Sequence, residues 1–106
     1  MQFMPLAKLE VFETELVNLA AFAKALAHPA RIRILQHLVG RGEVPCMDIV
    51  AVVPLSQPAC SRHISELCKA GLLKSRVWGS NVFYRIDERT LEQFCRGMNK
   101  VLHPNS

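Results

Sequence analysis

The sequence predicts a mainly α-helical (α+β) fold of about five helices and one two-stranded β-hairpin. Three observations support this prediction. Apolar residues recur at steps of three and four over most of the chain, as in amphipathic helices. Between residues 72 and 87 the period changes to two and β-branched and aromatic residues predominate, as in strands. Glycine and proline separate short segments, so we expect the 106 residues to form a single domain, 1–106.

The first two predicted helices are separated at Pro29. Residues 6–27 carry one apolar stripe. A second helix is expected at about 29–39, because proline suits the first turn of a helix and disfavours helix in the preceding residue. His28 is a candidate cap of this helix. Its expected inward residues are Ile32, Leu35, Leu38 and Val39.

The next two predicted helices are joined by a tight turn. A short helix at about 47–53 ends before Pro54. Ser56 is the predicted N-cap of the following helix, because its hydroxyl can accept a hydrogen bond from an orphan backbone N–H. Gly71 closes that helix.

A hairpin and a last helix complete the predicted fold. The strands are Leu72–Trp78 and Val82–Asp87, separated by the glycine-containing segment 79–81. Asp87 can cap a final helix that extends through Leu102. The apolar face of this helix consists of Leu91, Phe94, Cys95, Met98 and Val101.

The excess of positive charge lies in one stretch of the sequence. The chain carries 13 Lys and Arg against nine Asp and Glu, and residues 1–55 and 87–106 are each balanced. Residues 56–86 hold five basic side chains against the single acid Glu66. A localised basic surface favours a polyanionic partner, because each neutralised phosphate releases condensed counterions. A solvated basic face without a partner is the alternative.

Two short helices joined by a tight turn and followed by a basic hairpin are the elements of a winged helix-turn-helix, which binds double-stranded DNA. The outward residues of the fourth helix are of the types that contact bases and phosphates, since Gln suits adenine and Arg suits guanine. In the hairpin, basic residues alternate onto one face, and the tip is expected to reach the minor groove. The predicted DNA-binding residues are Ser56, Gln57, Ala59, Ser61, Arg62, His63, Lys74, Arg76, Ser80, Asn81 and Arg85.

Ordered motifs in the chain resemble those of the ArsR/SmtB family of repressors. Residues 22–35, FAKALAHPARIRIL, are similar to the family's opening ALxxPxRLxIL. Residues 55–64, LSQPACSRHI, are similar to its recognition helix LSQxxxSxHL, and residues 70–73 and 82–86 are similar to its AGLV and VYYRL elements. The resemblance covers about residues 10–100.

The resemblance implies a homodimer that binds a palindromic operator and releases it when an effector binds. In the family the first and last helices join the protomers, which here correspond to about 6–27 and 88–102. The apolar stripes of these two helices favour a dimer independently, because a chain of 106 residues has little core in which to bury them.

The two metal sites common in this family are not reproduced in the sequence. One is a Cys-x-Cys pair at the start of the third helix, where this chain has the single thiol of Cys46. The other lies along the last helix, and the aligned positions hold Glu88, Thr90, Val101 and Pro104. We therefore predict no metal site and no cofactor, with a metal or redox effector left open.

Cys46 and Cys95 are the candidate effector residues. Cys46 could form half of a metal site that Cys95 or a partner cysteine completes, or act with Cys95 as a redox or persulfide sensor. It could instead bind an organic ligand or a protein, or be a small half-buried residue at a helix start. A helix N-terminus would lower its thiol pKa, which favours the redox interpretation. Cys60 falls on the apolar stripe and is expected in the core.

Several other classes of protein are excluded or disfavoured. The sequence contains no long uninterrupted apolar run and no signal peptide, so we expect no membrane association and a cytoplasmic location. No phosphate-binding loop or catalytic constellation is present, so we do not expect an enzyme. The alternative function is a winged-helix module that binds protein and not DNA. For Trp78 the sequence leaves two roles open, packing in the hairpin and stacking on a sugar.

Overall fold

The computed structural model describes residues 11–105, which form five helices and a three-stranded antiparallel sheet. In chain order the elements are α1 (Thr14–Ala25), α2 (Pro29–Leu38), β1 (Val44–Pro45), α3 (Cys46–Val52), α4 (Gln57–Lys69), β2 (Leu73–Trp78), β3 (Asn81–Ile86) and α5 (Glu88–Leu102). This is the predicted winged helix-turn-helix. Within the described range, none of the helices combines the length and the apolar character that a membrane crossing requires.

The first helix is shorter than predicted. The sequence indicated helix over 6–27, whereas α1 begins at Thr14, and Leu26 already serves as its C-cap. Residues 6–10 of the predicted helix lie outside the described residues. Residues 11–13 are not helical, and Glu13 occupies the N-cap position with an extended backbone.

Three predicted capping residues fix where helices begin. Side-chain atoms of His28, Ser56 and Asp87 each accept a hydrogen bond from a backbone N–H two or three residues further on, at 3.0, 3.3 and 3.2 Å. Each bond satisfies one of the N–H groups that have no partner within the helix. The starts of α2, α4 and α5 therefore follow from local chemistry that the sequence reveals.

The inward face of α2 differs from the prediction. Its buried residues are Ala30, Ile34, Leu35 and Leu38, whereas Ile32 and Val39 are exposed. The buried set follows one stripe at helical spacing, and Ile32 lies about half a turn away from Ala30 and Ile34. The prediction of Ile32 and Val39 as core residues was wrong, because two apolar faces were available and tertiary packing selected one.

The core lies where α2, α3, α4 and the base of the sheet meet. Its fully buried side chains are Ile34, Leu38, Ile49, Cys60, Ile64, Leu67, Leu72 and Leu73. Cys60 is completely inaccessible, which confirms its predicted place in the core. This packing fixes the orientation of α4 relative to the sheet.

The sheet has one more strand than the predicted hairpin. β1 pairs with β3 through Val44 and Tyr84, so the sheet order is β1-β3-β2. The hairpin tip is a two-residue turn, since Trp78 pairs directly with Asn81. Gly79 takes a positive φ of 62° at the first turn position, which glycine adopts without strain. Asn81 therefore belongs to β3 and not, as predicted, to the tip.

α1 and α5 pack against one another and leave apolar surface uncovered. A Cβ at Gly97 would lie 2.8 Å from Leu19 Cδ2, so this glycine allows the two helices to approach closely. Phe22 and Phe94 meet edge to face at 5.9 Å between ring centroids. α5 has no fully buried residue, and Val101 and Leu102 are exposed. Its predicted apolar face is therefore only partly covered within one chain.

Candidate nucleic-acid interface

One face of α4 is polar and exposed along its whole length. Cys60, Ile64 and Leu67 are buried on the opposite side and hold the helix against the core. The exposed residues of the helix are Gln57, Pro58, Ser61, Arg62, Ser65 and Lys69. The predicted site residues Gln57, Ser61 and Arg62 are thus among them.

Pro58 and Ser65 belong to the same surface, although sequence reasoning did not select them. They lie four residues before and three residues after Arg62, which places all three on one side of the helix. Helical spacing from Arg62 was the signal that could have identified them. Of the remaining predicted residues, Ser56 is exposed but its hydroxyl caps the helix, and Ala59 is half-buried.

The structure places His63 on the flank of α4 that packs against α2. Its Nδ1 accepts a hydrogen bond from Arg31 Nε at 3.1 Å, and its ring lies 4.2 Å from that of His28. Burial lowers the pKa of His63, and the positive charges of His28, Arg31 and Arg62 lower it further. His63 is therefore neutral at pH 7 in the free protein. A role of His63 in binding DNA stays a prediction.

The sheet brings four of the five predicted residues of the hairpin onto one face, and the fifth, Ser80, is exposed in the turn. Lys74 pairs with Arg85, Arg76 with Phe83, and Trp78 with Asn81, and cross-strand partners point to the same side of a sheet. Lys74, Arg76, Asn81 and Arg85 are all exposed on this side, which we call the wing face. Trp78 is 67 % exposed, and the Arg76 guanidinium carbon lies 5.2 Å from its ring centroid, a cation–π geometry.

Ion pairs offset much of the positive charge that the sequence concentrates between residues 56 and 86. Arg76 makes two hydrogen bonds to the Glu43 carboxylate, at 2.7 and 2.8 Å. Lys74 lies 3.8 Å from Asp87, and Lys69 lies 3.3 Å from Glu66. Glu43 and Asp87 lie outside the charged stretch of sequence.

Arg62 and Arg85 carry no carboxylate partner within residues 11–105. Both guanidinium groups therefore lack a direct ion pair in that part of the chain, although the charge of Arg85 contributes to lowering the pKa of Glu43.

Cys46 does not have the environment of a reactive thiol. It is half-buried at the first position of α3, and burial raises the pKa of its thiol. This direction is opposite to the lowering expected from the helix N-terminus, and desolvation of the thiolate is its physical cause. Burial also raises the pKa of Cys60, and the charge on Cys46 raises it further.

The second effector candidate, Cys95, is exposed on α5. It lies on the predicted apolar face of that helix, which a single chain leaves partly uncovered, so its packing stays a prediction. Among residues 11–105, no three His, Cys, Asp or Glu side chains are grouped in a way that could hold a metal ion.

The arrangement of α4 and the wing face is suited to contacting double-stranded DNA. A helix with an exposed polar face can enter the major groove of B-DNA, where amide and guanidinium side chains distinguish base pairs. A two-stranded ribbon with outward basic residues beside that helix can contact the backbone.

Comparison with known proteins gives matches across the same region of the chain. A family described as "Helix-turn-helix domain" matches residues 26–76. An uncharacterised HTH-type transcriptional regulator of Methanocaldococcus jannaschii is 35 % identical over 74 residues, which are 69 % of this chain and 83 % of that protein. A biofilm growth-associated repressor of Agrobacterium fabrum is 33 % identical over 80 residues, 76 % of this chain and 68 % of the relative.

Solved structures share the architecture as well. An ArsR-like transcriptional regulator from Rhodococcus sp. RHA1 matches with a TM-score of 0.70 at 27 % sequence identity. The match covers 81 % of this chain and 80 % of the Rhodococcus chain.

Proposed function

Because this chain belongs to the ArsR/SmtB family of winged helix-turn-helix transcriptional regulators, we propose that it is a homodimeric repressor that binds a palindromic operator and releases it on an effector signal. Proteins of this family are regulators, and the chain is a transcriptional regulator and not an enzyme. Its proposed partner is double-stranded DNA, and its proposed location is the cytoplasm.

The exposed polar face of α4 is the observation that supports sequence-specific reading. We assign base contacts to Gln57, Ser61 and Arg62, since their side chains are exposed on a helix whose other side is anchored in the core. Arg62 has no carboxylate partner among the described residues, so its guanidinium is available to a guanine. The wing face, with Ser80 and Arg85, contributes backbone contacts.

Dimerisation through α1 and α5 is supported by the surface that these helices leave uncovered. Val11, Phe12 and Leu16 near the start of α1 are exposed, as are Val101 and Leu102 at the end of α5. The two helix ends adjoin, since Lys100 lies 4.0 Å from Glu15, and exposed apolar side chains grouped in this way favour an interaction site. A second copy of the chain would cover it and place two recognition helices on one duplex.

The effector is the open part of the proposal. Cys46 and Cys95 are the candidate residues, and neither lies in a metal cluster within the described part of the chain. A band shift of the operator complex, titrated in turn with As(III), Cd(II), Zn(II), an oxidant and a persulfide donor, identifies the class of signal. If the same signal still releases the operator from the Cys46→Ser variant, Cys46 is not part of the sensor.

Selection of duplexes from a random library tests DNA reading directly. We expect enrichment of a site with two inverted halves, bound by a dimer whose mass is measured by light scattering. Arg62→Ala should weaken binding to this site, whereas the matched variant Arg96→Ala on α5 should not. Failure to enrich any sequence would favour the alternative, a winged-helix module that binds protein.

A further inference from the structure

The surface carries several cavities of about 600 Å³ or less. One of them, of about 490 Å³, is lined by several basic side chains. It lies between the end of α1, the start of α2 and the last turns of α4. Lys24, His28, Arg31 and Lys69 line it, and Glu66 is the only carboxylate among its lining residues. Glu66 is already paired with Lys69 at 3.3 Å. Lys24, His28 and Arg31 form what we call the α2-side cluster.

Arg31, the guanidinium of this cluster, is held in place by groups that do not neutralise its charge. Arg31 Nη1 donates to the carbonyl oxygen of Ala25 at 3.1 Å, and Arg31 Nε donates to His63 Nδ1 at 3.1 Å. Both acceptors are uncharged: one is a backbone carbonyl, and the other is an unprotonated nitrogen of His63. Neither Lys24 nor Arg31 has a carboxylate partner within residues 11–105. The guanidinium is thus oriented by its neighbours and still carries its full charge.

The cluster and the wing lie on opposite flanks of α4. The helix packs against α2 on one flank and against β2 on the other. When a recognition helix occupies a major groove, about 12 Å wide, one phosphate backbone borders the groove on each side. In that pose the wing face would lie beside one backbone and the cluster beside the other. On the wing side, Lys74 and Arg76 are paired with carboxylates, whereas the α2-side cluster is not.

We propose that Lys24, His28 and Arg31 form a binding site for a backbone phosphate of DNA, on the side of the recognition helix opposite the wing. The proposal rests on the DNA-binding function proposed above and extends the interface to α1 and α2. His63 acts here as a positioning residue that holds Arg31, in contrast to the direct contact predicted from the sequence. Charged contacts to phosphates carry no base specificity, so the site would strengthen binding to every duplex.

Salt titration of binding to a fluorescein-labelled duplex of arbitrary sequence tests this site. The slope of log K against log salt decreases in magnitude by about one for each phosphate contact that is lost. We expect a decrease of up to this size for Lys24→Gln and for Arg31→Gln, because the two residues share one phosphate. Arg31→Lys, which keeps the charge, should retain most of the slope. Arg96→Gln on α5 removes the same charge from a residue that does not line this cavity. It is the matched control, with an unchanged slope expected once light scattering shows the oligomeric state of the wild type.

The possible outcomes separate this proposal from the proposed function. Wild-type protein that binds no duplex at any salt concentration would refute DNA binding itself. Wild-type binding with unchanged slopes in Lys24→Gln and Arg31→Gln would overturn only the phosphate site. Equal losses in Arg31→Gln and Arg31→Lys, with Lys24→Gln unaffected, would show a purely structural Arg31 and would also overturn it. Saturable binding of inorganic phosphate at constant ionic strength, abolished in Arg31→Gln, would reassign the cavity to a free anion.

Discussion

Replacement of Glu43 by glutamine tests whether Arg76 is available to DNA. Both carboxylate oxygens of Glu43 accept hydrogen bonds from Arg76, at 2.7 and 2.8 Å, and this contact holds the pKa of Glu43 below its usual range. A phosphate must displace the carboxylate before it can use the same edge of the guanidinium. In Glu43→Gln the negative charge is absent, so we expect tighter binding to duplexes of any sequence.

The expected size of the change in salt dependence follows from the number of phosphate contacts that DNA makes with the protein. One additional phosphate contact steepens the slope of log K against log salt by about 0.9, which is about a 3.5-fold larger loss of affinity between 50 and 200 mM salt. The assay is fluorescence anisotropy with a labelled duplex over this range of salt. Arg76→Ala should show the opposite sign, a shallower slope and weaker binding.

The matched control is Glu92→Gln, which opens a similar pair with Arg96 on α5. That variant removes one negative charge from a residue outside α4 and the wing, and it should leave the slope unchanged. Folding should also be unaffected, because exposed ion pairs contribute little to stability. An unchanged slope in Glu43→Gln, together with an unchanged slope in Arg76→Ala, would refute a phosphate contact by Arg76.

Four further results are expected. Arg62→Ala should weaken binding to a selected operator by about 1–3 kcal/mol, and equal affinity for that operator would exclude a base contact. Ile64→Ala should lower the free energy of unfolding in urea by about 2–5 kcal/mol, because Ile64 is fully buried, and a smaller loss would indicate that the core relaxes around the cavity. The backbone N–H of Thr90 and then Lys74 lower the pKa of Asp87 from 3.8, so its ionised form stabilises the fold above this value. Acidification below about pH 4 should therefore lower the stability of the wild type more than that of Asp87→Asn. Urea unfolding midpoints of both proteins, at one pH above and one pH below this value, measure the difference. Cys46 should react slowly with iodoacetamide at neutral pH, since burial raises its thiol pKa, and rapid alkylation in peptide mapping would restore it as a sensor thiol.

Local signals in the sequence were sufficient to predict most of the elements. Each capping side chain lies within three residues of the N–H that it accepts from, so His28, Ser56 and Asp87 could be read without tertiary information. The hairpin was predictable for the same reason, since a change of period and a glycine in the turn are local features. The length of the hairpin tip was not predictable, because asparagine is found both in loops and at strand ends, and Asn81 lies at a strand end.

The faces of helices were predicted less well where two apolar stripes were available. α2 carries apolar residues on more than one side, and only contact with α4 and the sheet selects Ile34 over Ile32. The exposed face of α4 was easier to predict, because its polar residues follow helical spacing opposite a single apolar stripe. Ser65 was overlooked although the same spacing indicates it.

The sequence by itself determined the order of the helices and the hairpin, the caps of three helices, the exposure of Gln57, Ser61 and Arg62 on the recognition helix, and the family. These depend on neighbours within one or two turns of chain or on motifs of a few residues. Only the tertiary structure decided how the charges are used. Glu43 meets Arg76 across 33 residues of sequence, and Arg31 meets His63 across 32. Such pairs follow from how the core orients α2, α4 and the sheet, and no local pattern encodes them. The stretch that carries the net charge in sequence is therefore partly neutralised in space, while uncompensated charge lies beside it at Lys24 and Arg31.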